Sequence, residues 1–345
     1  MRHAADAFQV DLAEIWKKRE MDDRQHSWHI FSELHRQLFL GHFDGVDQLD
    51  GDLDSYCGHL APDLFAVLLA LLPNLKHLAF GKVEIFAYVP ETAMSALGVS
   101  KLPLRTLKTG FMPKDLSGLM QDLENLTLDY SGYQLEKFDF PRLKSVCLRG
   151  FCVNPQDFGR IVESCPDSLS SFAYETSGVR RSDIRVVQPF NAVAQLSKFH
   201  GTLKSLRLDL RFMTLGFYRV RMDTLPSLEY FTALETLFLT TNTIYHGREP
   251  ELVDEHSLVN ILPPNIVSLT LAKTTLRMTQ RLRRGLLGLA EYRQRIPERV
   301  CQLKLVQCDT EEVCFDSHVK EALGEVGIDL EYEEFPRQDF SYYYF

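Results

Sequence analysis

The chain has 345 residues, 45% of them hydrophobic and 25% charged, with a formal net charge of −9. That composition excludes a disordered or fibrous chain, and the acidic balance argues against nucleic acid as a partner, because like charge repels the phosphate backbone. The longest uninterrupted apolar run, Leu64 to Leu72, has nine residues, too short to span a bilayer, which takes about 20.

Residues 1–60 carry no regular pattern. The N-terminus, MRHAADAFQVDLAEIW, lacks the apolar stretch of a secretory signal. DLAEIWKKREMDDRQ reads as a charged helix, FSELHRQLF (31–39) has an apolar helical stripe, and GHFDGVDQLDGDLD (41–54) reads as an acidic loop. This region is expected to be an N-terminal helical cap or the remnant of another module.

From residue 61 a pattern sets in. The template L-x-x-L-x-L fits LKHLAF at 75, LRTLKT at 104, LENLTL at 123, LKSVCL at 143, LSSFAY at 169, LKSLRL at 203, LETLFL at 234, IVSLTL at 266 and VCQLKL at 300. Fits at 104 and 169 are degraded, by Thr109 and by Phe172 and Tyr174; the rest hold apolar residues at all three positions. Such recurrence marks a repeat array. Spacings between starts run from 19 to 34 residues, so short units leave room for a turn and long ones for a helix.

Helical text lies between the strands. Asn154-Pro155 supplies an N-cap and a first-turn proline ahead of QDFGRIVESC. PFNAVAQLSKFHG (189–201) ends on a glycine in the cap position. DEHSLVNIL (254–262) stops at Pro263-Pro264. In 277–299, Leu282, Leu286, Leu289 and Tyr292 keep helical spacing, while Arg277, Arg281, Arg283, Arg284, Arg293, Arg295 and Arg299 make the other face basic. That helix is expected to turn its leucines inward and its arginines to water or to an acidic partner. Residues 309–345, with eleven Asp and Glu against one lysine and one arginine, offer such a partner within the chain. DSHVKEALGEVG (316–327) leads into a last strand, IDLEY (328–332), and residues 333–345 form an acidic, aromatic tail.

Asn242 follows Leu239 by three residues and Ile244 by two more; Ser131, Ser177, Thr274 and Cys308 fall in the same slot. Polar side chains there would bond main-chain amides as the chain leaves the strand. The whole phrase resembles the leucine-rich-repeat consensus L-x-x-L-x-L-x-x-N/C-x-L. That resemblance implies an α/β fold: a curved solenoid over 61–332, with a parallel sheet on the concave side and helices on the convex side. The uneven unit lengths and the phrase LLALLPNLKHLAF (68–80) resemble the leucine-rich arrays of fungal F-box-type proteins. This implies a non-enzymatic substrate-recognition subunit of a cullin–RING ubiquitin ligase, reached through a Skp-type adaptor. LAPDLFAVLLALLP (60–73) looks like the required F-box, but it runs straight into a strand, so a repeat helix explains it better.

Chemistry-bearing motifs are sparse. The chain contains no G-x-S-x-G, no glycine-rich phosphate loop, no H-E-x-x-H and no C-x-x-C. The acidic run from Asp44 to Asp54 fails an EF-hand, since Ser55 and Ala61 stand where glycine and glutamate belong. His26 and His29 have no third ligand, and Cys301, Cys308 and Cys314 have zinc-like spacing only loosely. Seven cysteines, an odd number without pairing motifs, point to reduced thiols in a cytoplasmic or nuclear protein. No cofactor is expected. An enzyme on a solenoid scaffold is the alternative, since sites and not folds make enzymes.

If the leucines face the core, the residues between them form outward columns. The second column reads Ala79, Lys108, Thr127, Cys147, Ala173, Arg207, Phe238, Thr270, Lys304. The third reads Gly81, Gly110, Asp129, Arg149, Glu175, Asp209, Thr240, Ala272, Val306. Mixed and polar, these columns suit a protein partner better than a small molecule. The large residues gather mid-array, and the insertion RFMTLGFYRVRM (211–222) leaves the sheet beside them. Arg149, Glu175, Arg207, Asp209, Phe217, Tyr218 and Phe238 are therefore the expected protein-binding residues.

Overall fold

A computed structural model describes residues 68–79, 94–95, 97–110, 114–130, 138–150, 153–176, 187–211, 223–245, 254–272, 278–296 and 302–335. The expectations for residues 1–60, and for Phe217 and Tyr218, lie outside them. The chain forms two compact units, Met1–Asp122 and Leu123–Phe345.

In the first unit, β1 (His77–Ala79) and β2 (Thr106–Thr109) pair in parallel with His77 opposite Thr106. Leu104 and Leu107 are buried, and so is Thr109 in the third template position. A 3-10 helix, Lys114–Leu119, follows and buries Leu116 and Leu119.

The second unit holds the longer array. Its strands are β3 (Asn125–Tyr130), β4 (Ser145–Gly150), β5 (Ser171–Thr176), β6 (Ser205–Asp209), β7 (Thr236–Thr240), β8 (Ser268–Ala272), β9 (Leu305–Cys308) and β10 (Asp329–Tyr332). Each pairs in parallel with the next. The register stacks one inward side chain per strand: Leu126, Val146, Phe172, Leu206, Leu237, Leu269, Val306 and Leu330, all buried. No single strand could bury that face alone; neighbouring repeats bury it together.

Ahead of each strand the main chain is stitched in the same way. Lys144 N–H donates to Glu124 O, Ser170 to Lys144, Lys204 to Ser170, Glu235 to Lys204, Val267 to Glu235, Lys304 to Val267 and Asp329 to Lys304.

The last full repeat differs from expectation. Its inward residues are Leu303, Val306 and Cys308, not Val300, Leu303 and Leu305. The template therefore sits three residues later. Because strand side chains alternate, an odd slip exchanges the two faces. Val306 leaves the outward column and joins the core, while Leu305 and Gln307 turn outward. Cys308 is not in the asparagine slot; it takes the place of the third leucine.

Helices bury the inward side of the sheet. Helix α1 (Pro155–Ser164) starts as its sequence suggests: Asn154 Oδ1 accepts from Asp157 N–H at 2.8 Å. Its Phe158 ring meets Phe172 and Tyr174 of β5 edge-on, at 5.4 and 5.8 Å. Helix α2 (Pro189–Leu196) passes into a 3-10 turn, Ser197–Phe199. Gly201 is not the left-handed cap expected there, because the positive φ values among the described residues fall at Gly98, Gly150 and Gly327.

A single turn, α3 (Thr241–Ile244), follows β7 and buries Ile244. Helix α4 (Asp254–Ile261) ends before the two prolines, and α5 (Met278–Arg295) lies against it. The approach is close enough to require glycine: a Cβ on Gly288 would strike the Glu255 carbonyl, and one on Gly285 the Tyr245 hydroxyl.

Leu282, Leu286 and Leu289 are buried on α5 as their spacing demands. The arginines are less uniform than expected. Arg281 is buried, donating to Asp254 at 2.8 and 2.6 Å, and Arg284 reaches the same carboxylate at 2.7 Å. Their partner is thus a neighbouring helix, not the acidic C-terminal region; Arg283 does turn that way, to Asp316 at 2.6 Å. Asp254 is fully buried and takes both arginines, which suits the rule that a buried charge must be paired. After a turn, α6 (Glu311–Cys314), helix α7 (Ser317–Glu325) is capped by Asp316, which accepts from His318 N–H and Val319 N–H.

Candidate protein-docking face

The outward residues of β4 to β7 form one connected cluster. Strand alternation sends Arg149, Glu175, Arg207 and Asp209 to the same side, and parallel register sets Arg149 beside Glu175 and Glu175 beside Asp209. Glu175 sits between two arginines, with Arg149 Nε at 3.1 Å and Arg207 Nε at 2.9 Å. Its side chain is 12% exposed, against 30% for Arg149 and 35% for Arg207. Arg207 also reaches Asp209 at 3.3 Å.

Beyond Asp209 lies Arg211, at the start of the insertion. Its guanidinium grips the Asp209 carboxylate with two bonds, Nε to Oδ1 at 2.9 Å and Nη2 to Oδ2 at 2.7 Å. Asp309, just past β9, comes within 3.9 Å of its Nη1. Burial pulls the Arg211 pKa down, but the hydrogen bonds and charge of Asp209 outweigh it, so the guanidinium stays charged. Three arginines thus face three carboxylates. The fork geometry of arginine matches a carboxylate, so each pair fixes the orientation of the next.

Phe238 extends the cluster on β7. The Arg207 guanidinium lies 3.7 Å from its ring centroid, a cation–π stack. The expected exposed anchor is, however, only 5% exposed. The chain's own C-terminal segment covers it. After β10, Glu333 N–H donates to Cys308 O at 3.1 Å. Two residues later the Phe335 ring meets Phe238 edge-on, at 5.4 Å between centroids, and the Phe335 carbonyl accepts from Arg211 Nη1 at 2.8 Å.

Of the expected residues, five are therefore brought together. Arg211, Asp309 and Phe335 complete the cluster and were not expected in it. Arg211 carried a signal, as the residue two after Asp209 on a strand that runs out of apolar pattern. Phe335 carried a weaker one: a phenylalanine behind two glutamates, just past the last strand.

Cys147 shares the outward side of β4 with Arg149, and burial pushes its thiol up to about 11. Burial likewise pushes Cys165 up to about 12. Thiols held that high are protonated at neutral pH and react slowly. Cys314 Sγ donates to the carbonyls of Cys308 and Glu331, at 3.4 and 3.6 Å. Among the described residues, no three His, Cys, Asp or Glu side chains gather to hold a metal ion, and no helix is long and apolar enough to cross a membrane.

Inward leucines in register, one parallel strand per repeat and helices on the buried side define a leucine-rich-repeat protein of the α/β type. No family model matches the chain, and no curated protein matches it with significance. Among solved structures it is similar to the leucine-rich repeat-containing protein LegL7 from Legionella pneumophila, at 15% identity. That match covers 77% of this chain and 85% of the other, with a TM-score of 0.45.

Proposed function

We propose that this protein is a non-catalytic scaffold that docks a protein partner on the outward face of β4 to β6. The observation that carries this reading is the Arg149–Glu175–Arg207 chain. Its carboxylate is nearly buried, yet both guanidiniums stay about one-third exposed. Arginines already oriented by a shared carboxylate lose little freedom on binding, which favours them as interface anchors. The flanking outward residues, Ser145, Ser171 and Ser205, are small and half-buried, so a partner's backbone could approach the sheet closely there.

The test is affinity purification from the native host with wild-type and Glu175→Lys baits. A partner recovered on the wild type and lost at least tenfold on the variant, with both proteins equally folded by circular dichroism, supports the reading. Equal recovery contradicts it. A narrower form of the reading is a ubiquitin-ligase receptor, and what supports it is the fungal-type phrase at 68–80. A Skp-type adaptor and a cullin in the same eluate would establish it; a reproducible partner without them would leave a plain scaffold.

A further inference from the structure

We propose that the site formed by Arg207, Arg211 and Phe238 is a receptor for an extended segment bearing a phenylalanine, and that Glu334–Phe335 is its resident, displaceable ligand. This rests on the docking reading above and gives the partner its chemistry: a segment of the same kind, which must displace the resident one.

The side chains of the receptor also hold one another. Arg207 and Arg211 are both oriented by Asp209, and Phe238 is oriented by Arg207. Asp209 occupies Nε and Nη2 of Arg211, and its Nη1 is the atom that donates to the Phe335 carbonyl. A guanidinium presented that way recognises main chain, so it does not depend on the side chain that follows. Phe238 recognises the ring.

The array, for its part, ends its strand pairing before Phe335. Tyr332 lies opposite Cys308, and the Glu333 N–H bond to Cys308 O closes that ladder. Glu333 and Glu334 are exposed, while Phe335 is half-buried at the site. The segment thus behaves as a ligand laid on a finished surface and tethered to it, a position in which tethering substitutes for affinity. The remaining sequence, PRQDFSYYYF, carries an acid–phenylalanine pair once more at Asp339-Phe340.

The test needs no partner. A fluorescent peptide of residues 331–341, EYEEFPRQDFS, is titrated against the full-length wild type, against full-length Phe335→Ala, and against Phe335→Ala/Phe340→Ala. The doubly substituted chain covers the case in which Phe340 takes the vacated place. Vacating the site should let one or both variants bind the peptide at least tenfold more tightly than the wild type, whose own segment competes. The peptide with both phenylalanines replaced by alanine should lose that binding. Equal affinity for all three chains, or no binding to any, overturns the proposal. So does undiminished binding of the alanine peptide. The docking reading fails separately, through an undiminished partner on Glu175→Lys.

Discussion

Strands β4 and β7 obey the same repeat, yet their outward faces differ. Along β4 and β5, half-buried and buried residues alternate through all six positions. Along β7 and β8, the last four residues of each strand are buried whether they point inward or outward. Thr240 and Ala272 are inaccessible, and Phe238 and Thr270 nearly so. The inward leucines are equivalent in the two regions, so the difference is not in the core. Phe238 is covered by the Arg207 guanidinium and by a residue 97 positions further along the chain, 335 minus 238, which settles on the finished sheet. Periodicity decides which side a residue faces; only tertiary structure decides whether that side meets water.

The comparison can be broken at its common part first. Leu148→Ala in β4 and Leu239→Ala in β7 should each cost about 4 kcal/mol in chemical denaturation, because both are fully buried on the inward side. A gap of about 2 kcal/mol or more between them would mean that the two cores are not equivalent.

The outward arginines should then separate the regions. Arg211→Ala leaves the buried Asp209 without its two-bond partner, a loss of about 3 kcal/mol. Arg149→Ala removes a partner that is about one-third exposed and leaves Glu175 its pairing with Arg207, so it should cost about 1 kcal/mol. Thermal denaturation of both variants would show it, and equal shifts would deny the distinction.

In the second outward column, Phe238→Ala should cost about 2 kcal/mol from lost apolar burial. Cys147→Ala, its counterpart on β4, should stay within about 1 kcal/mol. The smallest effect is chemical. With its thiol raised to about 11 by burial first and by the Glu175 charge next, Cys147 holds about one thiolate in a thousand at pH 8. Its alkylation by iodoacetamide should therefore rise about tenfold per pH unit from 7 to 10. A plateau near pH 8 would contradict the shift.

Most of the fold was legible because its signal is local. An L-x-x-L-x-L phrase contains both the strand and its inward face, and Asn154-Pro155 contains its own helix start. The final repeat was misread because two overlapping phrases, Val300–Leu305 and Leu303–Cys308, satisfy the same template. Pairing with Ser268–Leu271 chooses the second, and pairing is not visible in a single strand. The outward cluster, though not its proposed role in docking, was legible as far as strand register reaches, which is Arg149, Glu175, Arg207, Asp209 and Phe238. Its ends were not. Arg211 and Asp309 lie just past their strands, where alternation stops, and Phe335 arrives through tertiary contact alone. The buried pairing of Arg281 with Asp254 was hidden for the same reason: arginines on a helix read as a solvated face until a neighbouring helix is in place.

The central claim, that a partner docks on the outward face of the sheet and not on the helical side, is tested most directly by site-specific photocrosslinking in the native host. Benzoylphenylalanine would replace Cys147 on β4 in one full-length protein and the exposed Phe190 on α2 in another. The account predicts partner adducts from position 147 and none from position 190. Adducts from 190 with none from 147 would contradict it.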